Sequence, residues 1–372
     1  MKRLLVVLLA AGLSGPPALA ASYYLSHDVP TDDLLVPVTY LPWEIVRNDS
    51  GVYTTWLSLP VNTAVDSVHA MCNGEWLVSV EAPAELPPGG GVFYEPRDVI
   101  RYNAGAGVYS LFFCGGPVGV PSGSDINAAF LHDNDGSDLI IGFDVPTDLT
   151  AIGGGVYEPA DLVRFRKTAP GCAGWTLVGL FFDASTGVPP VPVGSVVTGA
   201  DRRTVPTMLT FDVPTTLAAT YLPGQVVAWN PMLPGFVLFD APPWPPNRSS
   251  RIDAFSFLPD PGEVPSMHVD KSSLTAGDLT ITWTIGTSAG AEDYGIYEGS
   301  IVSPWTYNHA SVVCTDSGTP LTEEITPAAG DRYYLVVALN PDLEGSYGRR
   351  SSGSERPQGS LPCRTAQGFD CP

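Results

Sequence analysis

The constraint that most narrows the fold of this 372-residue chain is a four-part unit, written four times in one order. Its fullest copy runs INAAFL, a turn, DLIIGFDVPTDL, a loop, YEPADLVRF, a second loop and WTLVGLFFD. The copy before it reads VDSVHAM, EWLVSVEAPAEL, YEPRDVIRY and VYSLFFC. The copy after it reads SVVTGAD, MLTFDVPTTL, YLPGQVVAW and GFVLFD. Each part is a short apolar run bounded by Gly, Pro, Asn or Asp, which is how strands joined by turns are written. The parts are read as strands a, b, c and d, with a period of 53 to 68 residues. No stretch shows amphipathic helical periodicity, so the chain is expected to be all-β.

The first copy reads YYLSHDVPTDD, YLPWEIVRN and YTTWLSL, and it has no strand a. A matching segment, RIDAFSFL, follows the fourth copy at Arg251 to Leu258. A ring of sheets closes without a free edge when a C-terminal strand completes the N-terminal sheet. Residues 22–262 are therefore expected to form a four-bladed β-propeller closed by that strand. Near-continuous apolar runs such as LIIGF and LVGLFF suit strands covered on both faces. Asn73-Gly74 and Asn134-Asp135-Gly136 suit tight a–b hairpins.

After Gly262 the repeat stops, and DLTITWTIG, EDYGIYEGS and ITPAAGDRYYLVVALN read as further strands. With Trp283 early, Tyr294 and Tyr297 next and Tyr334 late, residues 263–372 resemble a fibronectin type III or immunoglobulin-like β-sandwich. The wording of both parts also resembles secreted bacterial propeller-repeat proteins of unassigned function, whose tails are similar to YYLVV, EGSYG and ERPQG here. Those tails carry a further cysteine where this chain reads Gly286 to Gly290. The resemblance thus implies that one of Cys314, Cys363 and Cys371 lacks its partner. With Cys72, Cys114 and Cys172 on the other side of residue 263, each side keeps an unpaired thiol unless a bond crosses. Spacing does not decide the pairing.

The opening MKRLLVVLLAAGLSGPPALA has the basic, apolar and small-residue segments of a signal peptide over 1–20. Its apolar run is too short to span a bilayer, and no later segment is long and apolar enough. The expected product is secreted, extracellular or periplasmic, where disulfides are permitted. Formal charge is −21, and Lys167 and Lys271 are the only lysines beyond the leader. A polyanion such as nucleic acid is repelled at that charge. An extracellular glycan or protein is the expected partner.

The repeated acids are the most informative candidates for chemistry. Asp28, Glu81, Asp144 and Asp212 align at the end of strand b. Glu44, Asp98 and Asp161, with Gln225, open strand c after Tyr-x-Pro. Antiparallel order sends all these groups to one end of the ring, where they either hold their own turns, as Asx motifs do, or bind a shared ligand. The aligned Tyr40, Tyr94, Tyr157 and Tyr221 are expected to pack beneath their loops, whereas unrepeated Trp43 and Trp244 are candidate contact residues. HDNDGSD, with Asp133, Asp135 and Asp138, invites calcium but departs from the EF-hand spacing. No other cofactor is indicated.

GTSAG at 286–290 matches a nucleophile elbow in letters only, since no helix is expected after it. His27, beside Asp28, is expected on the surface or bonded to its loop. The chain is read as a non-catalytic binding or scaffold protein using the b–c loop face. The alternative is a carbohydrate- or lactone-acting enzyme whose paired carboxylates lie on the same face.

Overall fold

The computed structural model describes residues 22–33, 37–132, 136–186, 189–202, 206–217, 219–230, 235–240, 251–303, 306–316, 321–368 and 371. The leader expected over 1–20 lies outside them. The fold is all-β, with one short helix at Gly115–Val118 and a 3₁₀ turn at Thr150–Ile152.

Four antiparallel sheets each place their strands in the order a-b-c-d. Sheet 2 comprises Val65–Ala70, Glu75–Val80, Val99–Asn103 and Val108–Phe113. Sheet 3 comprises Ile126–Leu131, Asp138–Phe143, Leu162–Lys167 and Trp175–Phe182. Sheet 4 comprises Val197–Arg202, Thr207–Phe211, Val226–Trp229 and Phe236–Asp240. Sheet 1 draws b, c and d from Tyr23–His27, Glu44–Asp49 and Val52–Ser58, and its strand a from Ile252–Phe257. Across that junction Leu25 faces Phe255 and Tyr23 faces Phe257. The strand missing from the first copy is supplied by the segment that matches it.

Burial follows from two-sided packing. One apolar cluster joins sheets 1 and 2 through Tyr24, Ile45, Val68 and Trp76. A second joins sheets 2 and 3 through Phe113, Ile141 and Phe165, and a third joins sheets 3 and 4 through Phe130, Phe182 and Leu209. The fourth joins sheet 4 back to sheet 1 through Met208, Val226, Leu25 and Phe255. Polar bonds run the same way: Ser26 Oγ to Val65 O at 2.8 Å, Ser79 Oγ to Ile126 O at 2.6 Å, and Thr198 Oγ1 to Ile252 O at 2.7 Å. Gly199 allows the last of these approaches, because a Cβ there would lie 2.9 Å from Phe255 N.

Strand a carries the same irregularity in every sheet. Register slips between Val65 and Ser67, Ile126 and Ala128, and Val197 and Gly199. In sheet 1 it slips opposite Asp253, where His27 pairs with Ile252 and Ser26 with Ala254. Each bulge sets one extra residue out of the ladder: Asp66, Asn127, Thr198 and Asp253.

Residues 267–367 add a three-stranded sheet of Met267–Lys271, Leu279–Trp283 and Thr322–Ile325. It packs on a five-stranded sheet centred on Asp293–Ser300 and Arg332–Leu339, which makes a β-sandwich. Trp283, Tyr294 and Tyr297 are buried, and Tyr334 is half-buried with its hydroxyl on Glu298 at 3.0 Å. Fully buried Glu344 clasps the last stretch of chain, accepting from Tyr297, from Tyr347 at 2.6 Å and from Arg364 N at 3.0 Å.

The disulfides are Cys72–Cys371, Cys114–Cys172 and Cys314–Cys363. The orphaned thiol implied by the resemblance is therefore absent. A bond crosses residue 263, and the loop at 286–290 lies beside it, with Ala289 N donating to Cys72 O at 2.7 Å. Three disulfides fit maturation in an oxidising compartment. Among the described residues no helix is long and apolar enough to cross a membrane.

The sandwich meets the four sheets at one end. Its contacts fall on the a–b hairpin of sheet 2 (Cys72), the start of strand b (Ser22) and the far end of strand c in sheet 1 (Arg47). Arg47 forms a two-pronged ion pair with Glu292, both bonds at 2.7 Å. The b–c and d–a connections leave from the opposite end.

Candidate functional site

The repeated acids spend their oxygens on the backbone. Asp144 accepts from Asp125 N at 2.9 Å and Asp212 from Val196 N at 2.8 Å. Asp28 accepts from Arg251 N at 3.2 Å and pairs with the Arg251 guanidinium at 2.8 Å. Each bond pins the start of strand a to the end of strand b. Glu81 occupies the matching place and is exposed.

The second set works on the next turn. Glu44 accepts from Leu41 N at 2.8 Å, Asp98 from Glu95 N at 3.0 Å and Asp161 from Glu158 N at 2.9 Å. Gln225 does the same for Leu222 N at 2.8 Å, which shows that the turn needs an acceptor and not a charge. The other oxygens of Asp98 and Asp161 reach Gly115 N and Ala184 N, both at 2.9 Å, at the exit of strand d. Asp161→Ala is expected to lower stability by about 3 kcal/mol, since two charge-assisted bonds to backbone N–H groups go, the one from Ala184 buried. The neighbouring exposed Glu158→Gln should stay within about 0.5 kcal/mol. Paired thermal midpoints check this.

The remaining candidates separate. Two further acids stand at the ends of strands d: Asp183 accepts from Ser185 N at 2.9 Å within its own turn, and Asp240 accepts from the Tyr23 hydroxyl at 2.6 Å. Asp138 is held down to about 2, first by its bonds to Arg166, then by Arg164. It is an ion-pair centre at the hairpin end of sheet 3. Asp133, Asp135 and Trp244 lie outside the described residues. Among the described residues no group of three His, Cys, Asp or Glu has metal-holding geometry. Trp43 is half-buried against the cluster between sheets 1 and 2. Tyr40, Tyr94, Tyr157 and Tyr221 are all buried, and the hydroxyls of Tyr40 and Tyr221 donate to Tyr53 O and Phe236 O at 2.8 Å. Ser288 of GTSAG is buried in the loop before Asp293–Ser300, and its Oγ accepts from Gly290 N at 3.0 Å.

The unusual chemistry lies one strand inward. Bulge residues Asp66 and Asp253 are 4% and 6% exposed, and their carboxyls are close enough to act on one another. Burial, then repulsion between the two, raises Asp66 well above the carboxylate range. Burial pushes Asp253 up to about 7 against the pull of Arg251, and pushes neighbouring Asp125 up to about 7 as well. The group shares protons because its members are too close and too dry to ionise together.

Further along strand a, His69 Nδ1 lies 3.3 Å from Asp201 Oδ1, and Ser256 Oγ donates to Asp201 Oδ2 at 2.9 Å. The serine meets the acid and not the imidazole, so this is not a nucleophile–base pair. His27, expected on the surface or bonded to its loop, is buried beside the backbone of Arg251, and burial lowers it to about 4. Its counterparts in the other copies are Val80, Phe143 and Phe211, so the position belongs to the core.

Exposure on the four sheets is concentrated in two places. Every exposed large apolar residue described there lies either on a strand d, as Trp56, Leu111, Val178 and Val237 do, or on a b–c or d–a connection. The connections carry Val38, Val61, Val92, Phe93, Val145, Val156, Val193 and Val213. Two cavities open among them. One, of about 400 Å³, is lined by Val156, Leu180, Val193, Glu158 and Asp183. The other, of about 240 Å³, is lined by Val61, Pro83, Glu81 and Glu85.

No family model and no curated protein sequence matches the chain. Among solved structures, the extracellular domain of the hybrid two-component system BT3049 from B. thetaiotaomicron is 8% identical with a TM-score of 0.22, over 81% of this chain and 40% of that one. The FN1–FN3 domains of chicken CNTN1 are 11% identical with a TM-score of 0.20, over 75% and 94% of the two chains. PorZ, a surface component of the type-IX secretion system of Porphyromonas gingivalis, is 10% identical with a TM-score of 0.22, over 85% and 50%. Scores this low carry no argument about fold or activity.

Proposed function

We propose that the four sheets are the blades of a four-bladed β-propeller over 22–262, that 263–372 is a fibronectin III-like domain, and that the whole is a secreted, non-catalytic binding or scaffold protein. The supporting observation is an asymmetry. The sandwich fastens to the hairpin end through Cys72–Cys371 and Arg47–Glu292, while the connections at the other end keep Val61, Phe93, Val156 and Val193 exposed. Apolar side chains held out by a rigid scaffold are the signature of a contact surface.

The repeated acids do not compete with this reading, because their bonds build the connections. A glycan- or lactone-acting enzyme is the second reading. Its support is the proton-sharing Asp66–Asp253 pair, since a perturbed carboxylate pair suits acid–base chemistry. Both groups are more than nine-tenths buried, which leaves little access to them for a scissile bond.

Screening the secreted chain against extracellular polysaccharides, lactones and peptides separates the two readings. The binding reading expects association without turnover. It expects Val156→Asp with Val193→Asp to abolish that association, and Asp66→Asn to leave it intact. Turnover that disappears in Asp66→Asn contradicts it.

A further inference from the structure

We propose that the two cavities on the connections are docking grooves for a basic polypeptide carrying apolar side chains. The inference rests on the binding reading above and narrows its partner. Each groove sets exposed valine beside paired carboxylates: Val156 and Val193 with Glu158 and Asp183, and Val61 with Glu81 and Glu85. Neither groove is lined by a lysine, arginine or histidine.

The imbalance extends beyond the grooves. Among the described residues on the connections, the cations are Arg97 and Arg251, and both are already paired, with Glu95 at 2.6 Å and Asp28 at 2.8 Å. The other described cations of the four sheets, Arg47, Arg101, Arg164, Arg166, Lys167 and Arg202, sit toward the hairpin end. The connection end is thus an apolar surface in a negative field, and that field both attracts and orients a positive partner.

The chemistry excludes other occupants. Nucleic acid and an anionic bilayer are repelled by the same field. A second copy of this chain would bring −21 against −21. A small inorganic cation has no use for exposed valines. Sugar recognition favours flat aromatic platforms, and Phe93 is the one exposed aromatic residue described on the connections. A polypeptide can offer apolar and cationic side chains together, which matches the valines and carboxylates that line each groove.

The test uses the full secreted chain and a fluorescein-labelled dodecapeptide of alternating lysine and leucine, read by anisotropy. Saturable binding is expected, weakening as salt rises. Val156→Ser with Val193→Ser should weaken it by about tenfold or more, as should Glu85→Gln, Glu158→Gln and Asp183→Asn combined. Val108→Ser with Val178→Ser, on outer strands, should leave it unchanged, with melting curves confirming that every variant is folded. A lysine–serine peptide should bind about tenfold more weakly.

Equal binding of the lysine–serine peptide, of a glutamate–leucine peptide, or by the groove variants overturns the inference. So does an absence of binding. If a neutral oligosaccharide is then bound in a Val156- and Val193-dependent way, the partner class is wrong but the binding end stands. If nothing depends on those valines, both readings fall.

Discussion

Phe255→Ala is expected to destabilise the protein by about 3–5 kcal/mol, the cost of deleting a buried aromatic ring. Phe255 is 1% exposed, pairs with Leu25 across the junction of the first and last strands of the four sheets, and its ring packs tilted against Tyr23 at 5.1 Å. It also belongs to the cluster that joins sheet 4 to sheet 1. The loss therefore falls on two interfaces together. Val237→Ala, on an outer strand and 62% exposed, should change stability by about 0.5 kcal/mol or less. Thermal midpoints of both variants at one pH check the contrast. An effect of Phe255→Ala no larger than that of Val237→Ala would mean that Ile252–Phe257 does not close the first sheet.

The second large effect is a dependence on pH. Unfolded aspartates titrate near 4, whereas folded Asp253 titrates at about 7 and Asp66 well above its ordinary range. The folded chain then holds more protons than the unfolded one from about pH 4 upward. Stability falls as pH rises, by about 1.4 kcal/mol per unit for each extra proton held. His27 works in the other direction: at about 4 when folded and 6.5 when unfolded, it loses stability as pH falls through that window. His309, which burial also lowers, adds to the second trend, and Asp125 at about 7 adds to the first. The two oppose each other between about pH 4 and 6.5, and above 6.5 the carboxylates dominate.

The melting midpoint should therefore drop between pH 6.5 and 8. Asp66→Asn should flatten that slope and raise the midpoint at pH 8, because an amide donates to Asp253 without a charge. A wild-type midpoint that rises over this range, or an unchanged slope in Asp66→Asn, contradicts the shared proton.

The architecture was largely legible because it is written as repetition. Strand Ile252–Phe257 could be assigned from the absence of its counterpart before Tyr23. The turn-holding role of the acids was legible as one of two readings, beside a shared ligand, and the bond from Leu222 N to Gln225 at the fourth position fits the first. The buried Asp66–Asp253 group was not. A bulge displaces Asp66 and Asp253 from strict alternation, and nothing in VDSVHA or IDAFSF announces it. Read with a period of two, those acids belong to a ladder and not to a shared cluster.

His27 is a different lesson. Its aligned partners Val80, Phe143 and Phe211 already marked a core position, but the adjacent acid drew attention to the surface. Cys72–Cys371 joins residues 299 apart, and cysteine spacing does not encode a bond of that reach. The placement of the sandwich on the hairpin end was illegible for the same reason, and that placement is what leaves the connections exposed.

The measurement that bears most directly on the account is native-state amide hydrogen exchange across Ile252–Phe257. A strand hydrogen-bonded to Tyr23–His27 and packed into the seam should exchange as slowly as the central strands Glu75–Val80 and Asp138–Phe143. Its protection should be lost together with that of Tyr23–His27 in Phe255→Ala. Fast exchange of Ile252–Phe257 in the wild-type chain, while the other strands stay protected, would show that this strand does not complete the first sheet and would contradict the account.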